Sequence, residues 1–200
     1  MLADAHDCIE VVEHPGNLGY GAAMRQGMKL ALNSEADYFA CLHADGQYPA
    51  EYLNAFFGHM MDRGIDILQG SRHLNGTALA GGMPYQEYAT CKLLNGLENL
   101  TFGQKMTDYH SGFILYSRRA LEAVPFEQFS DYFDFDLEFI ASASCRDLVI
   151  DELGIPTRYE NEVSHANQLR YALRALRIVG KHVLGQYKPR TSPAVEYLPQ

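Results

Sequence analysis

The stretch YFACLHADGQYP, residues 38–49, decides the predicted fold. Its first five residues form a short apolar run typical of a buried strand, and the polar cluster His43 to Gln47 follows directly. Open α/β sheets bind ligands at the carboxyl ends of their strands, so this cluster is a candidate binding site. Asp45 and Gln47 are two residues apart, which in extended backbone points both side chains to the same side.

Two interpretations of Asp45 and Gln47 follow from this spacing. A carboxylate and an amide oxygen suit a hard divalent cation such as Mg²⁺ or Mn²⁺, with phosphate oxygens and water completing its coordination shell. Alternatively, the cluster is a polar turn in which Asp45 caps backbone groups. The spacing alone does not decide between them.

Short apolar segments alternate with longer amphipathic ones on both sides of this stretch, which predicts the α/β class. The strands are expected at 9–13, 38–42, 65–68, 113–116 and 148–153. The helices are expected at 21–32, 50–62, 84–102, 133–145 and 168–186, and the small, flexible residues of 74–82 predict a mobile loop. The chain has 200 residues, of which 47% are hydrophobic, and this suits one domain with a core of its own.

Composition excludes several classes of protein. A net charge of −9 argues against general nucleic-acid binding, which needs a basic surface. The four cysteines include no CxxC pair, so a structural zinc site is not expected, and Cys41 and Cys91 are predicted to be reduced thiols of a cytosolic protein. The apolar runs are shorter than the ~20 residues of a membrane span, and the first ten residues do not resemble a signal peptide.

Two further segments are candidates for binding phosphate. The glycine-rich turn Gly16 to Gly21 precedes a helix but has Met24 where a dinucleotide fingerprint needs its third glycine, so an NAD site is not expected. Its glycines still allow backbone to approach a nucleotide, although a simple tight turn is the alternative. Arg72 follows the third predicted strand and could hold a phosphate, or could be an exposed arginine.

Polar residues elsewhere suggest a sugar or acceptor site. The run 107–112 contains Asp108 and His110 and could line a sugar pocket or form an ordinary turn. Asp136 and Glu138, flanked by aromatic residues, could serve an acceptor site or remain solvated in the first turn of a helix.

The last predicted helix is amphipathic and basic. It could lie on an anionic membrane surface, or pack on the core with a solvated polar face. Its predicted apolar side consists of Leu169, Leu173, Leu176, Val179, Val183 and Leu184, and its cationic side of Arg170, Arg174, Arg177, Lys181 and His182.

Taken in order, these segments resemble the family-2 glycosyltransferases of the GT-A fold, specifically the dolichyl- or polyprenyl-phosphate sugar synthases. The resemblance runs from about residue 10 to 186 and rests on seven short motifs. These are 16–23 (GNLGYGAA), 42–49 (LHADGQYP), 70–72 (GSR), 81–84 (GGMP), 107–113 (TDYHSGF), 135–138 (FDLE) and 155–159 (IPTRY).

The resemblance implies roles for individual residues. It implies that Asn17, Gly19 and Gly21 lie beside the nucleotide, that His43, Asp108 and His110 help to bind the donor, and that Arg72 contacts phosphate. Asp45 and Gln47 stand at the metal-binding positions of the DxD-like motif, which raises the metal hypothesis above the alternative turn. Asp136 and Glu138 match an acidic pair near the acceptor, and the implied catalytic group comprises Asp45, Arg72, Asp136 and Glu138.

The resemblance also implies an activity. It is a metal-dependent, inverting transfer of a hexose from a nucleotide sugar of the GDP-mannose or UDP-glucose type. The acceptor is a polyprenyl or dolichyl phosphate or a related glycan, and the protein is expected in the cytoplasm, with peripheral membrane contact and homo-oligomers both allowed. A non-catalytic relative and a nucleotidyltransferase are the alternatives.

The expected organisation is an incomplete GT-A (Rossmann-like) domain at 1–166, a basic amphipathic helix at 167–187 and a loose tail at 188–200. The domain is expected to lack its first strand–helix–strand unit, because too few residues precede residue 10 to form one. Two positions depart from the family. Glu87 stands where relatives tend to carry Lys, and Ile114 where they tend to carry Arg, so both remove positive charge near the expected phosphate site.

Overall fold

Four strands form one mixed sheet in the order β1-β3-β2-β4. They are β1 (Tyr38–Leu42), β2 (Ile67–Ser71), β3 (Phe113–Ser117) and β4 (Ile150–Gly154). β3 runs antiparallel to both β1 and β2, whereas β2 and β4 are parallel. Strands β1, β2 and β4 therefore end at the same edge of the sheet, and β3 begins there.

The structure, a computed structural model, describes residues 8–43, 48–156 and 168–189. Single 3₁₀ turns lie at Ala50–Tyr52 and Phe126–Gln128. The α-helices are α1 (Tyr20–Asn33), α2 (Leu53–Arg63), α3 (Thr77–Ala80), α4 (Tyr85–Phe102), α5 (Arg118–Ala123), α6 (Phe135–Ala143) and α7 (Gln168–Val183).

Helices cover both faces of the sheet, because the side chains of the central strands alternate between two cores. In β3, Ile114 and Tyr116 belong to the core that α1, α4, α6 and α7 cover. Phe113 and Leu115 belong to the core beneath α2, where they meet Phe56. All residues of β2 and β3 are buried, which confirms the predicted α/β sheet flanked by helices.

Three local predictions were wrong. Residues 9–13 do not form a strand but lie exposed, since no described strand pairs with them and an isolated strand has no ladder to complete. The strand predicted at 65–68 lies at Ile67–Ser71, so Gly70 and Ser71 belong to β2. The predicted loop 74–82 contains α3, because Ala78 is buried there and the Thr77 hydroxyl donates to the carbonyl oxygens of Arg72 and Ile155, both at 2.9 Å.

Helix α7 exposes most of the apolar side that the sequence predicted for it, so that side is not the one that packs on the core. Leu169 and Leu173 are 72% and 60% exposed, whereas Ala175 and Ile178 face the core. Its cationic side is partly engaged, because Arg174 and Lys181 form ion pairs with Asp134 and Glu138. Both sides of the helix contain apolar residues, so periodicity alone could not identify the buried one.

The predicted domain boundary at 166/167 and the tail from residue 190 lie outside the described residues. Among the residues that are described, no helix is long and apolar enough to cross a membrane.

Candidate active site

A cleft of about 220 Å³ opens at the edge of the sheet where β1 and β2 end and β3 begins. Leu42, the last residue of β1, pairs with Phe113, the first of β3, so the segments that flank these two residues meet. Of the predicted site residues, His43, Arg72, His110 and Asp136 line the cleft. Glu87, which the sequence placed near the expected phosphate site, also lines it. Other lining residues were not predicted, among them Tyr20, Cys91, Leu94, Phe133 and Tyr171.

Arg72 is held at the end of β2 by Asp108. The guanidinium donates from Nε to Oδ2 at 2.7 Å and from Nη2 to Oδ1 at 3.0 Å, and both side chains are almost fully buried. Burial alone would raise the pKa of Asp108, but the Arg72 charge outweighs it and lowers that pKa to about 2. Asp108 therefore orients Arg72 from behind and does not line the cleft, which differs from the donor-binding role that we expected.

Asp136, in the first turn of α6, is a buried carboxylate without a cationic partner in the hydrogen bonds that the structure gives it. The Tyr20 hydroxyl donates to Oδ2 at 2.6 Å and the Tyr116 hydroxyl to Oδ1 at 3.2 Å. Burial raises the pKa of Asp136 to about 6, although both tyrosine hydrogen bonds act in the opposite direction. The cleft thus contains a carboxyl group that can gain or lose a proton near neutral pH.

Glu138 does not join Asp136 in the cleft. Residues two apart on a helix project in different directions. Glu138 accepts from the Ser130 backbone N–H at 3.0 Å and from the Tyr187 hydroxyl at 2.7 Å, and pairs with Lys181 of α7. The structure therefore separates the predicted acidic pair, and Glu138 connects α6 to α7.

His43 leaves the end of β1 into the cleft. Its ring makes edge contacts with Tyr20 and Tyr48, with centroids 5.1 and 5.7 Å apart, and lies where a side chain on Gly112 would sit. Residues 44–47 lie outside the described residues, so the predicted metal ligands Asp45 and Gln47 remain a prediction. In the described part of the chain, no group of three or more His, Cys, Asp or Glu side chains could hold a metal ion.

The glycine-rich turn contacts protein backbone. Gly19 has a φ of 96°, and a β-carbon there would lie 2.3 Å from the Asp131 carbonyl oxygen. At Gly21 the same carbon would lie 2.0 Å from the Ser130 oxygen, and the Gly21 N–H donates to Asp131. Asn17 accepts from the Gly19 N–H at 3.0 Å. The absence of a side chain at these glycines therefore allows α1 to pack against residues 130–131. The glycine pattern of the sequence cannot distinguish this packing requirement from nucleotide binding.

His110 connects the cleft to a buried carboxylate on α4. Its Nε2 lies 3.3 Å from Glu98 Oε2, and its Nδ1 lies 2.8 Å from the Tyr171 hydroxyl of α7. Sequence patterns did not single out Glu98 or Tyr171, since a Glu in an amphipathic helix is usually solvated. Only their contacts with the His110 ring in the folded structure identify them as candidate site residues.

The sequence model described as glycosyl transferase family 2 matches residues 1–124, more than half of the chain. The chain belongs to glycosyl transferase family 2. Membership confirms the family that the seven motifs indicated.

Two relatives extend this result. The chain is 32% identical over 158 residues to the low-salt glycan biosynthesis hexosyltransferase Agl6 of Haloferax volcanii, which covers 78% of this chain and 36% of that protein. It is 29% identical over 149 residues to an uncharacterised protein of Methanocaldococcus jannaschii, covering 74% of this chain and 61% of the other. The chain thus spans between about a third and three fifths of these relatives.

Solved structures of the glucosyl-3-phosphoglycerate synthase of Mycobacterium tuberculosis share the fold. The complex with phosphoglyceric acid has a TM-score of 0.59 at 16% identity, covering 90% of this chain and 59% of that one. The complex with uridine diphosphate has a TM-score of 0.57 at 14% identity, with coverages of 94% and 61%. At these identities the likeness concerns the fold alone, and it confirms the predicted GT-A arrangement.

Proposed function

We propose that this family-2 glycosyltransferase domain transfers a hexose from a nucleotide sugar to an acceptor bound in the cleft. The supporting observation is that His43, Arg72 and Asp136 converge at the sheet edge where strands β1 and β2 end. This edge is the usual ligand site of open α/β sheets. The name of the Haloferax relative, a hexosyltransferase, supports the same reaction. The Mycobacterium synthase has been crystallised with Mn²⁺ and UDP-glucose, which supports a donor of that type.

We further propose that Asp45 and Gln47 hold Mg²⁺ or Mn²⁺. The chemistry of the two donors fits a hard cation, and the described residues contribute no competing cluster of ligands. When bound, such an ion neutralises charge on the diphosphate leaving group. The donor is of the UDP-glucose or GDP-mannose type, and single displacement inverts the anomeric carbon.

The metal proposal is tested by replacing Asp45 with Asn and measuring hexose transfer with Mg²⁺, with Mn²⁺ and with a chelator. We expect transfer to fall by orders of magnitude in the variant and in the chelated wild type. Asp62→Asn, on the exposed surface of α2, is the matched control. A rate unchanged in Asp45→Asn would overturn the assignment.

The chain's own residues are proposed to bind and orient the phosphates. Asp108 holds the Arg72 guanidinium in one orientation, so little side-chain entropy is lost when Arg72 meets an anion. Glu87 on the cleft wall disfavours anions nearby, so we expect phosphate near Arg72 and His110.

The acceptor is proposed to be a polyprenyl or dolichyl phosphate, which is already anionic and attacks without a strong base. A glycan hydroxyl is the second candidate, because Asp136 could act as its general base. Asp136→Asn discriminates between them. Transfer to an alkyl phosphate should fall less than about tenfold, whereas transfer to a hydroxyl should fall by about 10²-fold or more.

Peripheral membrane contact is proposed from an apolar surface that we call the outer stripe. It consists of Leu93, Leu97 and Leu100 of α4 with Leu169, Leu173, Leu176 and Val183 of α7, all exposed. The two helices pack against each other, and each also supplies residues to the cleft wall. Helix α7 has four Arg or Lys residues and no carboxylate, in a chain of net charge −9. Arg174 and Lys181 pair with Asp134 and Glu138, and the absence of carboxylates from the helix itself supports contact with an anionic bilayer over contact with a second copy.

Sedimentation with vesicles of anionic and of neutral lipid tests this contact. The wild type should bind anionic vesicles, and replacement of Leu169, Leu173 and Leu176 by Ser should abolish binding. Leu79→Ser, on α3 and 45% exposed, is the control. Formation of a dimer through the stripe, with no vesicle binding, would overturn the proposal and support the homo-oligomer instead.

A further inference from the structure

An aromatic side chain lies exposed on the wall of the cleft. Phe133, two residues before α6, lines the cleft and is 58% exposed. Its ring stacks on the ring of Tyr20, with centroids 5.4 Å apart and planes 20° from parallel. One face of the Phe133 ring is therefore covered and the opposite face is open. A ligand that covers this open face in the cleft removes apolar surface from water, which favours its binding.

The Phe133 ring is supported from behind. The Tyr20 ring on which it stacks is fixed at its far end, because the Tyr20 hydroxyl donates to Asp136 Oδ2 at 2.6 Å. The backbone before Phe133 is also held, since the Tyr132 N–H donates to the Ser130 hydroxyl at 3.2 Å. A ring that is already positioned loses little conformational entropy when a ligand packs on it.

Hydrogen-bonding groups lie near the open ring. Asp136 lines the same cleft, and Tyr20 links it to Phe133, because the Tyr20 ring stacks on one residue and its hydroxyl bonds to the other. A carboxyl group can accept a further hydrogen bond whether or not it is protonated. Thr90 of α4 lines the cleft as well. The cleft thus combines a flat apolar surface with polar groups.

This combination matches the ring of a hexose. Such a ring has a face of C–H groups with partial positive charge, which packs on the negative face of an aromatic ring. Its hydroxyl groups lie at the edge and need hydrogen-bond partners when they are buried. An isoprenoid chain would use the aromatic ring but leave the Asp136 carboxyl group desolvated without a new partner.

We propose that Phe133 is the surface on which a hexose ring stacks in the cleft, with Asp136 available to the hydroxyl groups of that hexose. The inference rests on the proposed function and deepens it, because it makes Phe133 a specificity-determining residue. The hexose belongs either to the nucleotide sugar or to a glycan acceptor. Both present the same chemistry to the aromatic ring, and the experiment distinguishes them.

Calorimetry in the presence of Mg²⁺ isolates the sugar of the donor. UDP-glucose is compared with UDP, and GDP-mannose with GDP, in the wild type and in Phe133→Leu, which keeps apolar bulk but loses the flat ring. For a donor hexose we expect the variant to bind one nucleotide sugar about fivefold to tenfold more weakly and its diphosphate unchanged. Phe133→Tyr keeps the ring and should bind as the wild type does.

A second arm tests the acceptor. Methyl α-mannoside and methyl β-glucoside are titrated in the presence of UDP and followed by NMR. For an acceptor hexose we expect Phe133→Leu to weaken one of these glycosides by the same factor and to leave the nucleotide sugars unchanged.

The neighbouring tyrosine provides the matched control. Tyr132 is 55% exposed, but its ring is covered by the Arg174 guanidinium, 3.8 Å from the ring centroid, and it is not among the described residues that line the cleft. Tyr132→Leu should therefore leave the binding of every probe unchanged.

Sugar binding that is unchanged in both arms for Phe133→Leu would overturn the inference and leave the proposed function standing. An equal loss for UDP and UDP-glucose would also overturn it, because the ring would then contact the nucleotide. So would a loss for geranyl phosphate alone, which would assign the ring to a lipid chain. A wild type that binds none of the nucleotide sugars or diphosphates would overturn the proposed function as well.

Discussion

Two buried carboxylates lie at the cleft, Asp108 behind the Arg72 side chain and Asp136 on the cleft wall, and they differ in the partner that faces them. We call Asp108 with Arg72 the Asp108 region, and Asp136 with Tyr20 and Tyr116 the Asp136 region. Asp108 accepts two hydrogen bonds from the Arg72 guanidinium, and its pKa falls to about 2. Asp136 accepts from the neutral hydroxyls of Tyr20 and Tyr116, and its pKa rises to about 6. Burial acts in the same direction on both, so the formal charge of the partner decides the outcome.

This difference suits the two regions to different roles. The Asp108 region is a permanently charged pair, which suits the fixed holding of an anion. The Asp136 region can change its protonation near neutral pH, which suits proton transfer to or from a bound acceptor. One wall of the cleft therefore suits anion binding, and another contains a carboxyl group that can change its protonation. Replacing Asp108 should lower the free energy of unfolding, whereas replacing Asp136 should raise it at pH 8.

The largest expected effect comes from breaking the charged pair. Asp108→Asn leaves the Arg72 guanidinium buried without its counter-charge, and the free energy of unfolding in urea should fall by about 3–5 kcal/mol at pH 7. Asp62→Asn is the surface control. A loss below about 1 kcal/mol would show that water or another group satisfies Arg72.

The second effect has the opposite sign. In the wild type the raised pKa of Asp136 means that its contribution to stability is full below pH 4 and is lost as the pH rises through about 6. Asp136→Asn lacks this loss, so at pH 8 its free energy of unfolding should exceed that of the wild type by up to about 3 kcal/mol. At pH 4 the two should be nearly equal. A constant difference across this range would contradict the assigned shift.

The third effect appears in acid. Because the pKa of Asp108 is lowered to about 2, its stabilising contribution is present above pH 4 and is lost as the pH falls toward 2. The wild type should lose about 2 kcal/mol from this group over that interval. Asp108→Asn should show a correspondingly flatter acid limb when urea unfolding is followed from pH 5 to pH 2.5. Equal slopes in the two proteins would refute the ion pair's role.

The smallest effect refines the Asp136 region. Tyr116→Phe removes one of the two hydrogen bonds that favour the ionised carboxylate, so the pKa of Asp136 should rise further. We expect about 1 kcal/mol of destabilisation at pH 8 and less at pH 4, measured by thermal unfolding. Tyr85→Phe on the exposed surface of α4 should change neither value. If Tyr116→Phe lost the same stability at pH 8 and at pH 4, the loss would be due to packing and not to the hydrogen bond with Asp136.

Sequence reasoning succeeded where the pattern is local. The strand at 38–42 was predicted with the bounds that β1 has, and the helix at 84–102 differs from α4 by one residue. It failed for 9–13, since an apolar run becomes a strand only beside a partner. It left open whether the predicted apolar side of α7 packs on the core, because the helix has apolar residues on both its core side and its outer side.

The candidate site was predicted only in part for a similar reason. Arg72, His43, His110 and Asp136 were identified by their motifs, and they do line one cleft. Glu98 and Tyr171 belong to no motif that sequence analysis recognised. Their contact with His110 depends on α4 and α7 packing beside the start of β3, which no spacing along the chain reveals.

The amino-acid sequence by itself determined the alternation of strands and helices, the family and the residue types available for chemistry, because these depend on neighbours along the chain. Only the tertiary structure decided that Asp108 pairs with Arg72 and that Asp136 accepts hydrogen bonds from two tyrosine hydroxyls. It also decided that Glu138 pairs with Lys181 and not with a group of the cleft. Electrostatic surroundings are set by groups distant in sequence. The same side chain therefore acquires its protonation and its role only when the fold brings its partners to it.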